Sequence, residues 1–282
     1  MNLRKKFDFL FKIICVSCTI FSLILLVILV SHIVHQGFGR LNLNFILSFP
    51  SRFPHKAGIK AALVGTIWMM GLTSMFSIPI GLCTAIYLEE YGVKGKLGKF
   101  IEVNISNLAA VPSIIYGLLG LSVFVRFMGL GRSLWAGSLT LSLLVVPVII
   151  ISSREALKSV PMSLRMAAYA LGAKKWQVVF AQVVPAATPG ILTGIILSLS
   201  RAIGETAPLI VVGALSYVAF IPSGPSDQFT VLPIQIFNWA SRPQVEFHYL
   251  AAAAILVLLL VMFVMNFGAI MLRNRSTRGR QW

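Results

Sequence analysis

Apolar runs about as long as a bilayer is thick constrain this chain more than any other feature of its sequence. A helix needs about 20 residues to cross a hydrocarbon core about 30 Å thick. Backbone groups in lipid are satisfied only within helices or closed barrels. We therefore predict an all-α integral membrane protein with six transmembrane helices, at about 13–33, 61–88, 103–125, 134–152, 190–212 and 249–272.

The distribution of positive charge predicts the orientation in the membrane. A net charge of +16 would indicate a nucleic-acid partner in a soluble protein, but this chain is 57% hydrophobic. With six spans, 16 of the 24 Lys and Arg residues fall on the side of both termini and 7 on the other, with Arg201 inside a span. Because cytoplasmic loops carry the excess of basic residues, we predict that both termini are cytoplasmic and that no nucleic acid is bound.

The chain divides into three parts by composition. We predict an N-terminal transmembrane helix and outer loop at 1–60, a transmembrane core at 61–272, and a basic cytoplasmic tail at 273–282. Inside the core, the segment 153–187 is too polar to span. It contains a predicted short helix that begins at Ser163 as N-cap and ends at Gly172 in a left-handed conformation. Such a short helix needs a partner to pack against, and Pro185 and Pro189 mark the start of the next helix.

Two charges inside the fifth predicted span are the strongest functional signal. Arg201 and Glu205 lie four residues apart, so they share one helix face and can neutralise each other. A charge at the bilayer centre costs about 2.5–3.5 kcal/mol on insertion scales, and intramembrane ionisable residues usually mark functional sites. Nearby, Gly190 and Gly194 have the spacing that lets a second helix approach closely.

The catalytic motifs of nucleotide hydrolysis are absent from the sequence. The stretch Gly95-Lys96-Leu97-Gly98-Lys99 has some similarity to a phosphate-binding loop, but its spacing is wrong and Phe100 stands where Ser or Thr would bind Mg²⁺. We therefore expect a non-catalytic chain without a cofactor of its own. Any energy from ATP has to come from another subunit.

Two stretches resemble a known family. The segment with Ala167, Ala168, Gly172 and Pro185 is similar to the signature loop of type I, methionine-permease-like ABC importer permeases. The stretch 201–208, Arg-Ala-Ile-Gly-Glu-Thr-Ala-Pro, resembles the phosphate branch of that superfamily, the PstA family. The resemblance covers the spans from Ala61 onwards.

The resemblance implies a set of partners and site residues. It implies a permease subunit in a bacterial or archaeal cell (inner) membrane that pairs with a homologous second permease, two ATPase subunits that bind ATP and Mg²⁺, and an extracytoplasmic phosphate-binding protein. The implied cargo is inorganic phosphate. The short helix would be the coupling helix that the ATPases push. The implied site residues are Arg201, Glu205 and Thr206 in the substrate pathway, and Ala167, Ala168, Gly172 and Ala173 at the ATPase contact.

Arg201 is hypothesised to attract the phosphate anion, while Glu205 holds Arg201 in the empty pathway and keeps anion binding weak enough for release. Alternatives remain: a purely structural ion pair, a related importer of molybdate or sulfate, or an ion-coupled secondary transporter. One residue departs from the family signature, because Met166 occupies the place of its glutamate. With Ser163 as N-cap, that glutamate would complete a capping box worth about 1 kcal/mol.

Overall fold

The computed structural model describes residues 2–92, 95–214 and 217–277, and within these ranges every regular element is a helix. Short 3₁₀ turns lie at Phe38–Arg40 and Pro54–Lys56, and wider π-helical turns extend several helices. The α-helices are α1 Asn2–Gly37, α2 Leu43–Leu47, α3 Lys60–Ile86, α4 Lys96–Ala110, α5 Ser113–Gly120, α6 Leu134–Lys158, α7 Met162–Ala170, α8 Lys175–Val178, α9 Val184–Ile203, α10 Ala207–Val212, α11 Leu232–Ala240 and α12 Val245–Thr277.

The predicted all-α membrane protein is confirmed. Among the described residues, five continuous helices are long and apolar enough to cross a bilayer, and a bent helix pair makes a sixth. The first of them, α1, packs on α12 and leaves most of its apolar side chains between Phe7 and Val34 exposed. The predicted tail at 273–282 is in part helical, because α12 continues to Thr277, and 278–282 lie outside the described residues.

The centre of the molecule is built from α3, α6 and α9. Helix α6 packs along both of the other two. Gly190 lies against Ala156, where an added Cβ would be 2.8 Å from the alanine methyl carbon, and Gly194 lies against Ser152. The close helix approach predicted from the glycine spacing is thereby confirmed, and it fixes how α9 is aligned with α6.

The predicted span 103–125 is broken in its middle. Helices α4 and α5 meet at an angle of 95° next to Pro112. Proline has no N–H to donate to the carbonyl four residues earlier, which here is that of Leu108. The Tyr116 hydroxyl donates to this carbonyl instead, at 2.7 Å. The bend is therefore a braced structure rather than a flexible kink.

The boundaries predicted around segment 153–187 are wrong. Helix α6 continues to Lys158, and the next spanning helix already begins at Lys175 and runs to Ile203 through α8, a π-helical turn and α9. Pro185 therefore lies inside a helix. Proline has no N–H for the helical hydrogen bond. The π-helical turn Val179–Val183, which ends two residues before Pro185, changes the hydrogen-bond pattern around this missing bond.

Candidate functional site

Arg201 lies at mid-depth of the helix bundle. Helices α6 and α9 are antiparallel, and Gly194 of α9 contacts Ser152 of α6. Seven residues further along α9, Arg201 is level with Val145, which is close to the middle of the spanning helix Leu134–Lys158. The sequence placed this arginine at the centre of a span running from 190 to 212. In the structure the central depth is retained, although the span itself ends at Ile203.

The spanning helix ends at Ile203, two residues after Arg201, and Pro208 favours a break at this point. Pro208 would remove the hydrogen bond to the Gly204 carbonyl and its ring would clash with that carbonyl. The chain instead closes α9 with short-range bonds, from the Gly204 N–H to the Arg201 carbonyl and from the Glu205 N–H to the Ala202 carbonyl, both at 3.2 Å. Arg201 consequently occupies the last turn of α9, where the helix dipole favours a positive side chain.

The structure brings Arg201 and Glu205 together across this break. The Arg201 Nε and the Glu205 Oε1 are 3.6 Å apart, and the arginine side chain is 62% exposed whereas the glutamate side chain is 16% exposed. Thr206 lies next to the pair, and its hydroxyl donates to the Gly204 carbonyl at 3.3 Å. The pair thus consists of a sheltered carboxylate and a guanidinium with most of its surface open. Among the described residues, the contact of the guanidinium to the carboxylate is long, so the cation keeps donors for a second anion.

The short helix predicted in segment 153–187 is α7, Met162–Ala170. Its end matches the sequence prediction: Gly172 has φ +81°, its N–H bonds to the Tyr169 carbonyl at 2.9 Å, and the Ala173 N–H bonds to the Ala168 carbonyl at 3.2 Å. These two bonds form a Schellman motif. The helix therefore ends sharply at a fixed position.

The predicted start of α7 is wrong. Pro161 occupies the N-cap position, without a side-chain cap, and Ser163 is the second residue of the helix. Proline fixes the φ angle at the helix start, so the helix begins directly after Pro161 without a serine N-cap. Met166 is consequently five positions into the helix, so the capping-box argument about its missing glutamate does not apply.

Helix α7 has an inner and an outer face. Ala168 and Ala173, two of the four predicted contact residues, are half-buried and pack on the central core together with Leu164. The other two, Ala167 and Gly172, are exposed. Around them lie large apolar side chains that face outward: Met162, Met166, Tyr169 and Leu171. Leu171 is 89% exposed and Met166 59%. An apolar outer face of this kind on a helix outside the spans is typical of a protein-docking surface.

Sequence reasoning missed a cluster of ion pairs at the end of the bundle that carries α7, which we call the α7 end. Glu89 pairs with Arg154 at 3.4 Å, and Glu90 pairs with Arg165 at 2.8 Å. Glu102 of α4 joins Arg154 at 3.4 Å. One signal was available in the sequence, because two adjacent carboxylates at the C-terminal end of a helix oppose its dipole and require cations nearby.

Comparison with known proteins identifies the family. Residues 77–277 match the model of the family described as "Binding-protein-dependent transport system inner membrane component". The chain is 36% identical over 224 residues to the phosphate transport system permease protein PstA 1 of Mycobacterium tuberculosis, covering 79% of this chain and 72% of that protein. It is 32% identical to the phosphate transport system permease protein PstA of Haemophilus influenzae, over 83% of this chain and 82% of that one.

Solved structures share the fold. A bacterial alginate ABC transporter chain superposes with a TM-score of 0.70 at 18% identity, over 98% of this chain and 99% of that one. A chain of the inward-facing MetNI methionine transporter gives 0.63 at 19% identity, over 76% and 93%. The chain therefore belongs to the binding-protein-dependent transport system inner membrane components, has the type I ABC importer permease fold, and is a homologue of the PstA phosphate permeases.

Proposed function

We propose that this chain is a membrane-spanning permease subunit of an ATP-driven ABC importer that carries inorganic phosphate into the cell. The single observation that carries the proposal is the accessible guanidinium of Arg201 at mid-depth, beside a helix break and a sheltered carboxylate. A structural ion pair would bury both partners against each other. This one leaves the cation available to a ligand.

The membrane orientation follows from charge. The α7 end holds Arg154, Lys158, Arg165, Lys174 and Lys175, and the positive-inside rule places it in the cytoplasm together with both termini. The outer face of α7 then points into the cytoplasm of a bacterial or archaeal cell. There it would contact one of two ATPase subunits, which bind the ATP and Mg²⁺.

A homologous second permease subunit would cover the exposed face of α9. Leu197 and Arg201 lie one turn apart on that face, and both are exposed in the isolated chain. Pairing of two such faces would enclose a path between them. An extracytoplasmic phosphate-binding protein would deliver the anion at the end opposite α7.

In this path, Arg201 would replace part of the water that phosphate loses on entry, because a charge-assisted hydrogen bond to a guanidinium compensates desolvation. Glu205 would compete with phosphate for the same guanidinium. Conduction requires binding that is favourable yet weak enough for release. Thr206, at the same break, is a further candidate contact through its hydroxyl.

Reconstitution of the complete importer in proteoliposomes tests the proposal. We expect uptake of radioactive phosphate that depends on internal ATP and on the binding protein. Absence of ATP dependence would instead favour an ion-coupled carrier. Stronger inhibition by molybdate or sulfate than by unlabelled phosphate would reassign the cargo to another oxyanion.

A further inference from the structure

Arg165 is the one residue of α7, among the described side chains, whose ion pair reaches a spanning helix. Its Nη2 is 2.8 Å from the Glu90 Oε1, in the π-helical turn Tyr87–Tyr91 that extends α3. The two side chains are only 14% and 11% exposed. A pair sheltered in this way is screened by salt much less than a surface pair.

The same guanidinium also binds the end of α6. It donates from Nη2 to the Leu157 carbonyl at 3.0 Å and from Nη1 to the Val160 carbonyl at 2.9 Å. Leu157 lies in the last turn of α6, and Val160 lies two residues after the helix ends at Lys158. The Leu157 carbonyl also accepts from the Val160 N–H at 3.3 Å. Both residues are buried in the central core. Arg165 therefore ties α7 to the ends of two spanning helices at once.

The neighbouring ion pair, Glu89–Arg154, connects other elements. Glu89 pairs with Arg154, which is part of α6 and also contacts Glu102 of α4. This pair joins spanning elements to each other and does not include α7. Glu89 and Glu90 are adjacent in sequence and identical in chemistry, yet only Glu90 is linked to the short helix.

We propose that Arg165, held by Glu90, is the positioning residue that transmits displacement of α7 to α3 and α6. The proposal rests on the function proposed above. Helix α6 carries the displacement further, because Ala156 and Ser152 lie against Gly190 and Gly194 of α9. Arg201 lies in the last turn of α9. A continuous series of packed contacts thus leads from α7 to the mid-depth cation, and such a series can carry coupling between distant sites.

The matched pair Glu90→Gln and Glu89→Gln tests this role. The measurement is the number of phosphate ions taken up per ATP hydrolysed by the complete importer in proteoliposomes, with assembly checked by co-purification of the ATPase. We expect Glu90→Gln to lower this ratio by about 5- to 150-fold, the usual range of coupling between sites. Glu89→Gln should leave this ratio within about twofold, because Glu89 pairs with Arg154 of α6 and not with a residue of α7.

Arg165→Lys is the second variant and decides the question if Glu90→Gln does not assemble. Lysine keeps the charge but offers one nitrogen in place of the separate Nη1 and Nη2 donors that reach Glu90 and the two carbonyls, so we expect a ratio below that of wild type. A wild-type ratio in either variant, or an equal loss in Glu89→Gln, would overturn the proposal. Failure of the wild-type importer to carry phosphate would refute the proposed function instead, which is a separate outcome.

Discussion

The ion pairs at mid-depth and at the α7 end differ in how firmly each arginine is held. Within the described part of the chain, Arg201 has one ion-pair contact, of 3.6 Å to Glu205, and is 62% exposed. Arg165 has a contact of 2.8 Å to Glu90, donates to two backbone carbonyls, and is 14% exposed. The first cation retains unused donors, whereas the second has its donors fixed by protein groups.

This difference indicates how one chain can both bind an anion and hold its helices in a fixed arrangement. A guanidinium has five donors, and those that protein groups do not use remain available for an anion. A guanidinium bonded to three protein acceptors instead fixes the geometry of the elements that carry them. We infer that exposure and contact number, rather than charge alone, separate the transport site from the structural link.

The largest expected effect is at Arg201. Arg201→Gln removes the charge that compensates phosphate desolvation, and hydrogen bonds to charged groups contribute about 1.5–3 kcal/mol, so uptake should fall about 10- to 100-fold. The ATPase should still co-purify. Arg126→Gln, at an exposed arginine near the opposite end, is the control. Equal uptake by the two variants would show that the mid-depth position of the charge is irrelevant.

The outer face of α7 should respond differently from its ion pair. Leu171→Asp places a charge in the exposed apolar face, and burial of a leucine at an interface contributes about 1.5–3 kcal/mol. We expect retention of the ATPase by the purified permease pair to fall about tenfold or more. Leu97→Asp, at another exposed leucine of the α7 end, should have no such effect. Unchanged retention of the ATPase in Leu171→Asp would show that the outer face of α7 does not dock the ATPase.

The braced bend beside the site should contribute moderately to stability. Tyr116→Phe leaves the Leu108 carbonyl without its hydroxyl donor, and we expect a loss of about 1 kcal/mol. Thermal unfolding in mild detergent measures this loss, with Tyr87→Phe at an exposed tyrosine of the α7 end as control. Identical melting curves for the two variants would mean that the bend holds without this hydrogen bond.

The smallest expected effect lies outside both regions, in the loop between α10 and α11, which contacts the start of α6. The Ser223 hydroxyl, together with the Ser223 and Gly224 backbone N–H groups, lowers the pKa of Asp227. A lowered folded-state pKa means that this carboxylate stabilises the fold above its unfolded pKa, and that the contribution disappears as pH falls through the folded pKa. The melting temperatures of wild type and Asp227→Asn should therefore differ slightly at neutral pH and converge in acid. A gap that widens in acid would contradict this sign.

Much of the fold could be predicted from the sequence because local patterns determine it. Apolar runs identified the spans, Gly190 and Gly194 predicted the close packing of α6 and α9, and Gly172 predicted the left-handed helix end. Prolines were less informative. Proline inside a span favours a kink, but Pro208 and Pro112 lie at full helix breaks. Tertiary contacts decide how far the two parts of such a helix bend apart.

The candidate site was predictable only in part. Arg201 and Glu205 could be paired because they are four residues apart, although in the structure α9 ends between them. Arg165 and Glu90 are 75 residues apart, and no local spacing relates them. The start of α7 was mispredicted for a local reason, since Ser163 is a good N-cap residue but Pro161 already fixes the helix start.

Accessibility of the α9 face tests the central claim most directly. Leu197 lies one turn before Arg201 on that face and is exposed, so Leu197→Cys reports on the face without removing the arginine. The importer lacking Cys15, Cys18 and Cys83 is the background, and Leu25→Cys on exposed α1 is the lipid-facing control. We predict that a charged, membrane-impermeant thiol reagent labels Leu197→Cys much faster than Leu25→Cys, and that phosphate slows this labelling. Equal, slow labelling at both positions would contradict the account, because Arg201 would then face lipid rather than a phosphate path.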